Sequence, residues 1–146
     1  MSDFRRVVFD TSTLVSAALR VGSVSHLALV PAFSEGEVCV SAATLAKLGN
    51  VLLRPKFGRY QSAGVRLEFA AILRRRASLF SVSEADESNV NPRCRVPKDD
   101  QFLALVRACD ADALISSDAD LLVLHPWQGV PILTPAAFME HVSQRE

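Results

Sequence analysis

Short apolar runs that stop at an acidic or small polar residue alternate along this chain with segments of helical spacing. Arg6-Val7-Val8-Phe9 stops at Asp10, Glu37-Val38-Cys39-Val40 stops at Ser41, and Ala113 to Ser116 stops before Asp118. Leu79 to Val82 and Pro131-Ile132-Leu133 are two further short runs of this kind. Runs this short, with no polar alternation, predict strands buried on both faces. Between them, helices are expected over Thr11–Arg20, Val24–Phe33, Ala42–Leu53, Ala63–Ala77 and Asp99–Cys109. Pro31 should kink or end the second. Ser41 is a good N-cap for the third. Val65, Phe69, Ile72 and Leu73 supply an apolar face for the fourth. Thr134-Pro135 reads as an N-cap followed by proline at the first position of a terminal helix. The polar stretch Glu84–Lys98, with two prolines, reads as a loop. Strands alternating with helices predict an α/β fold, an α/β/α sandwich around a central, mostly parallel sheet. Ligands in such folds bind beyond the carboxyl ends of the strands.

The chain has 146 residues, 49% of them hydrophobic, which is expected to make one domain over residues 1–146 and excludes disorder as the main state. Cys39, Cys94 and Cys109 lie too far apart for a metal-binding Cys pair and are expected to be buried hydrophobes. No apolar stretch reaches the roughly 18 residues a membrane span needs. Nor does Met-Ser-Asp-Phe-Arg-Arg open a signal peptide. A cytoplasmic protein with no membrane association is expected.

The formal net charge is zero, but the charges are segregated. From Arg54 to Arg76 seven bases face one acid, Glu68; from Asp99 to Asp120 six acids face one base, Arg107. A basic stretch suits phosphates and an acidic cluster suits cations. Asp10, Asp99, Asp100, Asp118 and Asp120 could each be a helix cap or turn residue. On one predicted rim, however, they look like a hard-cation site of the kind that Mg²⁺ occupies. Arg54, Lys56 and Arg59 are the candidate phosphate contacts, with Tyr60 available for stacking.

Five segments carry a family resemblance. Val7-Val8-Phe9-Asp10-Thr11-Ser12-Thr13-Leu14-Val15-Ser16-Ala17 resembles the opening motif of PIN domains, in particular the bacterial branch of toxins from toxin–antitoxin pairs. Arg54-Pro55-Lys56-Phe57, Asp99-Asp100-Gln101-Phe102-Leu103-Ala104-Leu105, Leu114-Ile115-Ser116-Ser117-Asp118-Ala119-Asp120-Leu121-Leu122 and Ile132-Leu133-Thr134-Pro135-Ala136-Ala137-Phe138 resemble its later motifs, in order. The resemblance implies a ribonuclease that uses one or two Mg²⁺ or Mn²⁺ ions to activate water and stabilise charge on the phosphate. By resemblance, Asp10, Asp100 and Asp118 are catalytic metal ligands, and Asp120 is an auxiliary one. Ser116, Ser12 and Asp99 support the site. The family also implies an RNA substrate, a small antitoxin partner and a homodimer.

Three departures stand out. Ser12 replaces the usual asparagine, and a serine hydroxyl can still donate and accept. Val96 and Lys98 stand where acids are common. Most consequentially, the family's remaining acid, a glutamate on the helix after the second strand, is Lys47 here, and no acid occurs between Glu37 and Glu68. Lys47 either stands in for one cation, leaving a single-metal enzyme, or points away from a weaker remaining site, or marks a protein that binds RNA or its partner without cutting. Asp10-Thr11-Ser12-Thr13 also loosely resembles the nucleophile motif of haloacid-dehalogenase-like phosphatases, but Ser12 stands where that motif needs a second acid.

Overall fold

A computed structural model describes residues 4–144. Five parallel strands form one sheet in the order β3-β2-β1-β4-β5. They are β1 (Arg6–Phe9), β2 (Glu37–Val40), β3 (Ser78–Leu79), β4 (Ala113–Ile115) and β5 (Ile132–Leu133). The helices are α1 (Thr11–Leu19), α2 (Val24–Glu35), α3 (Ala42–Leu52), α4 (Ala63–Arg76), α5 (Glu84–Ser88), α6 (Asp100–Cys109), α7 (Ala119–Leu122) and α8 (Pro135–Gln144). Short 3₁₀ turns at Pro55–Arg59 and Pro97–Asp99 precede α4 and α6.

The strands divide the interior into two cores. Successive side chains of a strand point to opposite faces. Val7 and Phe9 therefore join Leu14, Ala28, Leu48 and Phe138 on one side of the sheet. Val8 joins Cys39, Phe102, Leu105, Leu121 and Trp127 on the other. All three cysteines are buried and free, as expected. β1 is central, paired with β2 at Val7↔Val38 and with β4 at Val8↔Leu114. Its carboxyl end, at Asp10, is thus held from both sides. At its other end Asp112 Oδ2 accepts from the backbone N–H groups of Arg5 and Arg6, both at 2.9 Å. That acid is structural and lies far from Asp10. Gly36 must be glycine because a Cβ there would collide with the Arg5 carbonyl oxygen, which accepts from Glu37 N at 2.6 Å.

The helix starts follow the expected caps. Ser41 and Thr44 form a reciprocal capping box on α3. Thr134 Oγ1 accepts from Ala137 N at 3.1 Å at the start of α8. Three expectations change. α2 runs on through Pro31 to Glu35, its buried face of Ser25, Ala28, Leu29 and Ala32 outweighing the one backbone bond proline removes. Glu84–Lys98 is not all loop, because Ser83 and Asp86 cap one another and start α5. α4 keeps its length but not its expected face. Of the four apolar residues only Leu73 is fully buried, Val65 and Ile72 are exposed, and Arg66 is buried instead. Among the described residues no single helix is long and apolar enough to cross a membrane.

Candidate functional site

The carboxyl ends of β1 and β4 place two acids side by side. Asp10 follows β1, its N–H bonded to the Ile115 carbonyl at 3.1 Å, and it is only 2% exposed. It is also the N-cap of α1, with Oδ1 accepting from Thr13 N at 2.9 Å. Its other oxygen accepts from Ser12 Oγ at 3.1 Å and from Ser116 Oγ at 2.5 Å. Burial pushes the Asp10 carboxyl up from the usual carboxylate range, and the bonds from Ser116, Thr13 and Ser12 pull against it. Ser116, fully buried after β4, donates to Asp10 and accepts from Asp118 N at 2.9 Å. One hydroxyl thereby couples the two strand ends. Asp118 in turn caps α7 by accepting from Asp120 N at 2.9 Å.

Asp99 comes from the 3₁₀ turn before α6 and is 7% exposed. Its Oδ1 accepts from Lys47 Nζ at 2.9 Å. Lys47 projects from α3 with its ammonium 4.9 Å from the centre of the Phe102 ring. These groups line a cleft of about 280 Å³, whose charged members are Asp10, Asp99, Asp118, Lys47, Arg54 and Lys98. Three carboxylates thus face three cations. Ser12 and Thr11 line it too.

The structure therefore gathers Asp10, Ser12, Lys47, Arg54, Asp99, Ser116 and Asp118 but leaves other expected members outside. Asp100 is replaced in the cleft by Asp99. The Asp100 carboxylate accepts from Cys94 N at 2.7 Å and Arg93 Nη1 at 3.0 Å, and lines a separate cavity of about 1070 Å³. Consecutive helical residues project about 100° apart, so one acid of the pair turns away. Both acids have an apolar residue three positions on, Phe102 for Asp99 and Leu103 for Asp100, so the sequence does not separate them; Lys47 touches Asp99 and Phe102 only in the fold. Asp120 is also outside the cleft, its two oxygens held by Arg95 Nε at 3.0 Å and Nη2 at 3.3 Å. Among the bases, Lys56 and Arg59 lie on neighbouring rings, 5.2 Å from Phe57 and 5.5 Å from Tyr60, and do not line the cleft. Lys98, read in the sequence only as a missing acid, does. Arg66 is structural: its guanidinium donates to the carbonyls of Leu52, Arg54 and Gln61, closing the end of α3.

A divalent ion does not fit these residues as they are arranged. Among the described residues no three acidic, histidine or cysteine side chains stand close enough together to hold a metal. An ammonium already neutralises Asp99. Of the three possibilities for Lys47, pointing away is the one the geometry removes.

A five-stranded parallel sheet flanked by helices, with acids beyond the carboxyl ends of its central strands, is the α/β architecture of PIN-like domains, which are typically nucleases. The chain belongs to the PIN domain family, whose model matches residues 6–120. No curated protein sequence matches it. Solved structures with a similar fold include VapBC2 from Rickettsia felis bound to a DNA fragment from its promoter, with a TM-score of 0.64 and 11% identity over 87% of this chain and 96% of that one. VapC20 from Mycobacterium tuberculosis, a sarcin–ricin-loop-cleaving toxin, gives 0.55 and 17% over 82% and 95%. FitAcB from Neisseria gonorrhoeae gives 0.58 and 15% over 89% and 98%.

Proposed function

We propose that residues 1–146 act as one toxin-type PIN domain that takes single-stranded RNA into the cleft, with ribonuclease turnover held low by Lys47. The observation that carries this is the cleft itself: Asp10, Asp99 and Asp118 line it together with Arg54 and Lys98. The three acids are the residues suited to phosphodiester hydrolysis, and the two bases are suited to the flanking phosphates. Ser12 and Ser116 hold Asp10, and Asp118 through its N–H, in place. Arg54 is the cleft's own RNA contact, and Lys56 and Arg59 extend it along the exposed turn beside Tyr60. VapBC2 and FitAcB are toxin–antitoxin complexes, which supports a small antitoxin as partner; a homodimer is the assembly the family resemblance implies. Val24, Leu27 and Val30 leave exposed apolar surface on α2 for such a partner.

The test is a cleavage time course on single-stranded RNA with Mn²⁺, run for the wild type, Lys47→Glu and Asp10→Asn. With Mn²⁺ above about 1 mM, at most slow cutting by the wild type, none by Asp10→Asn and roughly ten-fold or faster cutting by Lys47→Glu are expected. Failure of both wild type and Lys47→Glu to bind or cut RNA would overturn the reading. The Lys47–Asp99 pair favours one second reading, a family member that binds RNA or its antitoxin and does not cut. RNA binding with no turnover by either protein would select it.

A further inference from the structure

We infer that Lys47 is a built-in cation that takes the place of a divalent ion at Asp99, making the cleft a metal-independent seat for an RNA phosphate. The inference rests on the RNA reading above for its ligand, but not for its metal chemistry.

Four observations converge on it. First, the ammonium is aimed: Nζ lies 2.9 Å from Asp99 Oδ1, on a carboxylate side chain only 10% exposed. Secondly, it is fixed from a second side by the face of Phe102 at 4.9 Å, an arrangement that attracts a cation and not an anion. A lysine that had merely drifted from a lost site would extend its flexible stem into water, yet this side chain is 22% exposed. Thirdly, the cleft is formally neutral with its own residues: Lys47, Arg54 and Lys98 balance Asp10, Asp99 and Asp118. A cluster of carboxylates ordinarily needs a bound cation to relieve its repulsion. Here the need is met by the chain, and a divalent ion would add two uncompensated charges beside an ammonium. Fourthly, the acids that could have enlarged a metal site are occupied elsewhere, Asp100 by Arg93 and Asp120 by Arg95.

An ammonium has three donor hydrogens, and Asp99 Oδ1 takes one of them. The others can meet phosphate oxygens entering the cleft, with Arg54 and Lys98 beside them. Thr11 lines the same cleft, with its hydroxyl buried and without a hydrogen-bond partner among the described residues.

The test titrates Mn²⁺ into the wild type and Lys47→Glu, with free ion followed by electron paramagnetic resonance and melting temperature read in parallel. The wild type is expected to take up no Mn²⁺ below about 1 mM, and Lys47→Glu to bind at least roughly ten-fold more tightly, with a metal-dependent rise in melting temperature. If Lys47→Glu does not fold, Lys47→Gln is read in its place, because it removes the cation without adding an acid. Stoichiometric binding by the wild type as tight as by the variants would overturn the inference. So would variants that gain nothing over the wild type. A second arm measures fluorescence anisotropy of a short single-stranded oligoribonucleotide in Mn²⁺ and in chelator. Equal binding by the wild type in both, weakened several-fold by Lys47→Gln, is expected. Binding that requires Mn²⁺ would overturn the inference. No RNA binding in either condition, with the metal results as expected, would count against the RNA reading and not against Lys47 as the resident cation.

Discussion

Removing either partner of the Lys47–Asp99 pair should cost stability, and removing both should cost less than the sum. At the observed separation of 2.9 Å, the gross attraction is about 6 kcal/mol at an effective dielectric near 20. Most of this is offset by the cost of taking two charges out of water, which for a pair this enclosed is about several kcal/mol per ion. The asymmetry between single and double replacement is therefore the informative quantity. Lys47→Met leaves the Asp99 carboxylate buried and unpaired, and should destabilise the fold by about 3 kcal/mol. Asp99→Asn leaves an ammonium that can reach solvent, since Lys47 is the more exposed partner, and should cost about 1–2 kcal/mol. The double variant should fall short of the sum by at least about 1 kcal/mol. Urea unfolding at neutral pH, with all four proteins sharing one slope, measures each value. Single effects that add to within about 0.3 kcal/mol would refute the direct pair and, with it, the account of Lys47 as a cation seated on Asp99.

Three further outcomes follow from other sites. Asp10 is more easily protonated in the folded state than in the unfolded one, so its contribution is most favourable at low pH and is lost as pH rises through its raised value. The stability of Asp10→Asn relative to wild type should therefore improve between about pH 4 and about pH 8, and urea unfolding at both ends that shows the opposite trend would contradict the burial argument. Arg66→Met should cost about 2–4 kcal/mol, because it strips donors from the carbonyls of Leu52, Arg54 and Gln61 at the end of α3; a melting temperature within error of wild type would show that water satisfies them. Trp127→Phe should cost about 1–3 kcal/mol, losing both packing at a residue 1% exposed and the bond from Nε1 to the Pro92 carbonyl at 2.8 Å, as read by thermal unfolding.

Much of the scaffold was legible because it is built from local signals. The apolar runs at Arg6–Phe9 and Glu37–Val40 carry no polar alternation, and they became fully paired central strands with the expected bounds. Ser41 and Thr134 are side chains that satisfy orphan N–H groups a few residues on, so their effect is readable without any tertiary contact. Lys47 could be singled out only through the family resemblance, which implies an acid at its place before Arg54-Pro55. Asp10 and Asp118 could be placed on one rim because a parallel sheet sends all its carboxyl ends to the same side. The chain itself thus determined the α/β class, the strand ends at which acids gather, and the charge type at position 47.

Tertiary structure decided the rest, since it turned on direction and burial across elements distant in sequence. Whether Asp99 or Asp100 faces the cleft depends on the rotation of α6, which is set by the packing of Phe102, Leu103 and Val106 under β1 and β4. Arg54 and Arg66 look alike in a basic run, yet the first lines the cleft and the second is sealed under the end of α3. Asp120 sits two residues from Asp118 and is lost to Arg95, a partner 25 residues away that no spacing rule identifies. Most decisively, the sequence shows only a lysine at position 47; that its ammonium reaches Asp99, 52 residues on, is a property of how α3 lies against α6. Charge type is written in the chain, but the distance over which two charges act exists only once the fold has brought them together.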